Sequence, residues 1–198
     1  MNQHLTLQQA SAWVRRFAVL VPPGEVLDLA CGSGRHARLM AQLGHPVLAL
    51  DRDADALAST AGQGIAVQQF DLESAVVDQQ AAWPFEPARF AGIIVTNYLH
   101  RPLLPHLLDS LAPGGVLIYE TFASGNAQFG KPSNPEFLLA TGELLHLAQA
   151  NVGRGWHVVA FEDGYVTQPR PAMVQRICLL KSDAPIAPRA VSLDFPAD

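Results

Sequence analysis

Two cysteines in 198 residues, Cys31 and Cys178, are too few for a disulfide framework and lack the paired spacing of a thiolate metal site. A reducing, cytoplasmic setting is therefore the expectation. Long apolar runs are missing too. Although 49% of the residues are hydrophobic, no stretch approaches the ~18 consecutive apolar residues of a membrane span. The first residues show neither the basic start nor the apolar core of a secretory signal. No membrane partner is expected. Positive charge is in deficit, with 13 Lys and Arg against 18 Asp and Glu and a net charge of −5. That balance weighs against a broad phosphate-binding surface, and so against nucleic acid as a partner. His100 and His106 stand six apart and point to different helical faces, which excludes a metal pair. Repeats and low-complexity tracts are absent. What remains is a chain long enough for one domain with a proper core; its oligomeric state is left open.

The informative stretch is EVLDLACGSGRHA, Glu25 to Ala37. Val26, Leu27 and Leu29, with Asp28 among them, predict a short buried parallel strand. Gly32, Ser33 and Gly34 then turn the chain, and Arg35 to Leu43 carries good helix formers. Strand, glycine turn and helix make a nucleotide-binding arrangement, because the glycines let backbone approach a ligand and the helix start offers free N–H groups. Read as Gly32-x-Gly34-x-x-Ala37, the turn fits a loose dinucleotide fingerprint. An acid inside the strand repels a pyrophosphate but attracts a ligand carrying an ammonium and a sulfonium.

Read as Asp28-x-Ala30-x-Gly32-x-Gly34, the stretch resembles the first motif of class I methyltransferases, which bind S-adenosyl-L-methionine (SAM) and release S-adenosyl-L-homocysteine. Ala30 departs from the usual glycine. Further along, PVLALD, Pro46 to Asp51, predicts a second strand ending in an acid placed for ribose hydroxyls. Asp53 caps a helix over Asp53–Thr60. A third strand, Ala66 to Ser74, runs into Asp71-Leu72, which resembles the family position beside adenine, although Asp71 is equally a turn former. LAPGGVLIYE resembles the methyltransferase stretch after the fourth helix. Strands are expected over Phe90–Tyr98 and Val116–Phe122, with a helix over Pro102–Leu111 between them. A helix over Thr141–Val152 capped by Thr141 follows. Trp156–Val166 and Ala172–Leu180 are joined so briefly that they must pair antiparallel.

The resemblance covers about Glu25 to Leu180 and implies a Rossmann-like α/β fold. That fold has a seven-stranded, mostly parallel sheet with an antiparallel last strand and helices on both faces. Size and the glycine turn are similar to those of small bacterial methyltransferases of the tellurite-resistance and quinone-biosynthesis type. One domain over residues 1–181 is expected, with an N-terminal amphipathic helix over 6–20 packing through Leu7, Trp13, Val14 and Phe17, and a loosely held Pro/Ala-rich tail over 182–198.

The implied cofactor contacts are Asp28, Ala30, Cys31, Gly32, Gly34, Asp51, Arg52, Asp71, Leu72 and Asn97. Asn97, Tyr98, His100 and Arg101, at the end of the fourth strand, and Glu120, Thr121 and Phe122, at the end of the fifth, are acceptor candidates. The long segment Thr121–Glu143 reads as a lid, with Phe129 and Lys131 facing the acceptor. No catalytic residue is assigned, since methyl transfer needs alignment more than acid or base. The expected function is methylation of a small molecule. The alternatives are an RNA or protein methyltransferase of the same fold, an NAD-linked oxidoreductase, or a catalytically silent SAM-binding module.

Overall fold

The computed structural model describes residues 9–74, 76–77, 80–81, 83–151 and 155–182. VLDL, VLALD and FAGIIVT are apolar almost without alternation, and such runs become strands only where both faces are covered. They form the interior of the sheet as β1 (Val26–Leu29), β2 (Val47–Asp51) and β4 (Phe90–Thr96). β3 (Ile65–Gln69), β5 (Leu111–Phe122), β6 (Trp156–Val166) and β7 (Ala172–Lys181) complete it. The order is β3-β2-β1-β4-β5-β7-β6. β1 to β5 run parallel, and β7 runs antiparallel between β5 and β6. A separate ribbon pairs Val76–Val77 with Gln80–Ala81.

Side chains along a strand alternate between faces. Leu27 and Leu29 join Leu48, Leu50, Ile93 and Val95 on one face, under α4 (Leu104–Ser110) and α5 (Glu143–Gln149). Val26 joins Val47, Ala49 and Ile94 on the other, under α1 (Ala12–Phe17), α2 (Arg35–Gln42) and α3 (Ala54–Thr60). Asp28 shares the Val26 face and is thereby aimed at α2. The strand order reverses between β1 and β4, so their carboxyl ends open a crevice where ligands of such sheets sit.

Several boundaries differ from expectation. The N-terminal helix is shorter: Ser11 Oγ accepts the Val14 N–H as its cap, and a 3-10 turn, Ala18–Leu20, ends it. Leu7 lies outside the described residues. β3 stops at Gln69, because Asp71 folds the chain by accepting the Glu73 N–H. β5 starts at Leu111, which pairs with Phe90 before the register shifts to Gly92 and Val116 across the Pro-Gly-Gly bend. Thr141 does not cap α5. Gly142, at φ 70°, starts that helix, and Glu143 Oε2 accepts the Ala140 N–H at 2.8 Å. Val152 and the tail beyond Ser182 lie outside the described residues. Among those residues no helix is long and apolar enough to cross a membrane.

Candidate active site

The glycine turn is built by a few backbone and carboxylate contacts. Ala30, Gly32 and Gly34 all adopt positive φ, at 52°, 52° and 73°. The two glycines do different work. A Cβ on Gly32 would meet nothing within 4 Å, so its backbone faces open space that a ligand could fill. A Cβ on Gly34 would strike Thr60, with Oγ1 only 2.6 Å away. Gly34 is therefore a packing glycine, held against α3, and Thr60 in turn donates to the Gly32 carbonyl at 3.2 Å. Cys31 is buried beneath the turn, its amide donating to the Leu50 carbonyl at 3.0 Å.

Asp28 also supports the turn. It is 1% exposed, and its Oδ2 accepts the Ala37 N–H at 2.8 Å in the first turn of α2. Burial raises its pKa from 3.8 to about 7, against the pull of that hydrogen bond. It lines neither recess described below.

Two recesses flank the turn. The first has a volume of 200 Å³ and is lined by Ala30, Leu50, Asp51, Arg52, Phe70, Asp71, Leu72, Glu73 and Tyr98. Asp51, at the end of β2, accepts the Gly32 N–H at 2.7 Å and the Asp53 N–H at 3.0 Å. A carboxylate has about four acceptor positions, so both oxygens keep capacity for a diol. Phe70, Leu72 and Tyr98 supply apolar walls for a flat ring, and Asp71 stands at the rim with one oxygen in its turn. The recess thus fits a nucleoside. Tyr98, expected on the acceptor side, belongs here instead.

The second recess, of 360 Å³, lies on the other side of the turn. Gln9, Ala10, Ser11, Ala12 and Arg15 wall it from the N-terminal segment. Arg35 starts α2, and Asn97, Glu120 and Phe122 come from the carboxyl ends of β4 and β5. Val166, Gln168, Pro169, Arg170, Ala172 and Arg176 come from the β6–β7 hairpin. Asn97, at φ 56°, donates its N–H to the Glu120 carbonyl, and this places it here rather than beside the nucleoside recess. Glu120 is 7% exposed, and its Oε2 lies 2.6 Å from Arg176 Nε, although neither atom finds an aligned hydrogen-bond partner. Burial pushes the Glu120 carboxyl above its usual range, opposed by Arg176.

His36 fixes the cover of this recess. It is 1% exposed, with Nε2 accepting the Ser11 N–H at 3.2 Å and Nδ1 3.3 Å from Thr96 Oγ1. The Ser11 contact requires a bare Nε2, so the proton sits on Nδ1. Burial lowers its pKa to about 3, with Arg35 adding to the effect.

The remaining candidates are placed elsewhere. Arg101 pairs with Glu143 at 2.7 Å and donates to the Glu136 and Leu138 carbonyls. His100 lines neither recess. The expected lid is docked against the sheet edge. Asn126, buried, donates to the Pro132 carbonyl and accepts the Met173 N–H, and Leu139 bridges to Ala123. Phe129 packs on Tyr165, and Lys131 lines a separate shallow recess with Pro132 and Phe137. Only Phe122 of that segment lines the second recess. The sequence reading missed Arg15, Arg35 and Arg176. Their one signal was position, since each sits on an element that begins at the carboxyl edge of the sheet. Among the described residues no cluster could hold a metal ion.

Residues 26–115 match the methyltransferase-domain family. The chain is 38% identical over 109 residues to protein-L-isoaspartate O-methyltransferase of Chlorobaculum tepidum, a match covering 54% of this chain and 49% of that protein. The chain thus spans about half the length of that curated relative. Its fold is similar to that of TehB from Haemophilus influenzae, with a TM-score of 0.67 and 17% identity over 87% of this chain and 63% of the other. It is also similar to that of 1,6-didemethyltoxoflavin-N1-methyltransferase of Burkholderia thailandensis, solved with 1,6-didemethyltoxoflavin and S-adenosylhomocysteine bound. That TM-score is 0.59, with 19% identity over 87% of this chain and 79% of that one. Residues 26–115, the glycine turn and the strands that follow it, thus match a methyltransferase domain, and the parallel sheet with its antiparallel final hairpin gives the chain the fold of methyltransferases of known structure.

Proposed function

We propose that the protein transfers a methyl group from SAM to a small molecule bound in the 360 Å³ recess between the N-terminal segment and the β6–β7 hairpin. One observation carries the reading. A nucleoside-sized recess with Asp51 at its edge and a walled, partly apolar recess meet on opposite sides of one glycine turn. The ribose would rest on Asp51, the adenine among Phe70, Leu72 and Tyr98 near Asp71, and the amino-acid part along the open backbone at Gly32. When bound, SAM supplies a methyl carbon already activated by its sulfonium. The chain's task is then to align the acceptor and keep water out, which in favourable cases is worth ~7–11 kcal/mol. Glu120 is the carboxylate of the acceptor recess. Its burial and raised proton affinity suit it to receive a proton from an acceptor that must lose one.

The volume supports a small acceptor, since pockets for such ligands begin near ~300 Å³, and so does the bound small molecule in the toxoflavin methyltransferase. A protein acceptor is the second reading, favoured by the name of the C. tepidum relative. Calorimetry with SAM, S-adenosylhomocysteine and NAD tests the cofactor: the first two should bind and NAD should not. Incubation with methyl-labelled SAM and separate metabolite and protein pools then decides the acceptor. Label in the small-molecule fraction supports the proposal; label confined to protein replaces it with the second reading.

A further inference from the structure

We infer that Tyr98 and Glu73 form a clasp over the 200 Å³ recess, which must part for SAM to enter and for its product to leave; this rests on the placement of the nucleoside in that recess. Glu73 stands four residues beyond the end of β3, and Tyr98 two beyond the end of β4. In the sheet order, β2 and β1 lie between those two strands. Neighbouring strands are spaced by ~4.8 Å, so β3 and β4 stand ~14 Å apart. Yet the Tyr98 hydroxyl donates to the Glu73 carboxylate. The contact therefore crosses the carboxyl ends of β2 and β1, where Ala30, Leu50 and Asp51 line the same recess. A nucleoside resting on Asp51 lies beneath it.

Each arm is fixed at its base and turns at its tip. The Tyr98 carbonyl accepts the hydroxyl of Tyr119, itself 1% exposed, at 2.9 Å. The Glu73 N–H donates to Asp71 Oδ1 at 3.0 Å. Beyond these backbone anchors Tyr98 is half-buried and Glu73 exposed, so rotation of two side chains opens the recess without moving a strand. A hydrogen bond to a carboxylate is of the stronger kind. Burial, with the Glu73 charge adding to it, holds the Tyr98 phenol above its usual range, so the hydroxyl keeps the proton it donates. Arg52, also in the lining, draws on Glu73 from the end of β2, with Nη1 4.0 Å away. A side chain that touches the ligand slows its departure alone. A clasp slows arrival and departure alike and leaves affinity nearly unchanged.

The test follows S-adenosylhomocysteine on the full chain. Tritium-labelled compound chased with excess unlabelled compound gives the dissociation rate, calorimetry gives Kd, and their ratio gives the association rate. Tyr98→Phe keeps the ring that walls the adenine and removes only the hydroxyl, whereas Glu73→Ala removes the other arm. Each should raise both rates fivefold or more, with Kd within threefold. The double variant should match the faster single variant within twofold, because the same contact is lost in each. Unchanged rates in either single variant, a faster dissociation matched by an equal rise in Kd, or effects that multiply in the double variant overturn the inference. Asp51→Ala is titrated alongside. Unchanged affinity there removes the nucleoside from this recess and the clasp with it; weakened affinity there leaves the cofactor placement standing whatever the clasp variants do.

Discussion

At the residue scale, the two acids of the motif region divide structure from function, and substitution separates them. Asp51 holds the Gly32 and Asp53 amides and keeps lone pairs toward the nucleoside recess. Charge-assisted hydrogen bonds contribute ~1.5–3 kcal/mol each, so Asp51→Ala should weaken SAM at least tenfold in calorimetry, with the folded circular-dichroism spectrum retained. Gly34 acts through packing instead. Gly34→Ala places a Cβ against Thr60 on a backbone at φ +73°. The left-handed conformation costs ~1–2 kcal/mol and overpacking typically ~1–3 kcal/mol. Chemical denaturation should therefore show a marked loss of stability, greater than that of Gly32→Ala, where the space is open. A Gly34→Ala variant as stable as the wild type would remove Thr60 from the account of this turn. Glu120→Gln removes the proton acceptor while keeping size. If the acceptor loses a proton on methylation, kcat should fall by ~10²–10⁴ with SAM affinity within threefold.

Among elements, α1 is the one whose role exceeds its length. It contributes only Ala12–Phe17, yet Trp13 and Phe17 anchor it in the core while Ser11, Ala12 and Arg15 wall the acceptor recess. Trp13 Nε1 reaches the Ile177 carbonyl at 3.4 Å, and His36 holds the Ser11 amide from beneath. His36→Ala should loosen this cover. Amide exchange at Ser11 and nearby residues should rise, and KM for the acceptor should increase severalfold with SAM affinity little changed. Unaltered exchange there would mean that Trp13 and Phe17 hold the cover unaided. The apolar face of α1 was legible from its spacing, as were the interior strands from their unbroken apolar runs and the final hairpin from its short link. Its recess-facing side was not, because Ser11 and Arg15 carry no pattern until β5 and β7 are placed beside them. The segment after β5 misled for a related reason. Its length and glycines suggested a mobile cover, but the side-chain bonds of Asn126 and Arg101 tie it down, and such tertiary bonds leave no local trace.

For the whole molecule, the lining of the 200 Å³ recess follows the chain locally after the first four strands, whereas the 360 Å³ recess is assembled from five distant stretches, of which the sequence reading named Asn97, Glu120 and Phe122 but not Arg15, Arg35 or Arg176. Asp28 and His36 lie on one helix–strand contact, and together they carry a consequence for folding at mildly acid pH. Asp28 rises from 3.8 to about 7 on folding, so its contribution to stability is present below pH 3.8 and lost as pH rises toward 7. His36 falls from 6.5 to about 3, so its contribution is present above pH 6.5 and lost as pH falls toward 3. Between about pH 4 and 6.5 the unfolded chain carries the proton on the imidazole and the folded chain carries it on the carboxyl. Folding there relocates one proton and takes up none, and both groups enter the interior uncharged. The two slopes cancel, and each substitution should expose the other. In denaturation series across that window, Asp28→Asn should gain stability with rising pH and His36→Gln should lose it, each by at most about 1.4 kcal/mol per pH unit. The wild type should stay nearly level between them, a protein buffered against acid by two errors of opposite sign.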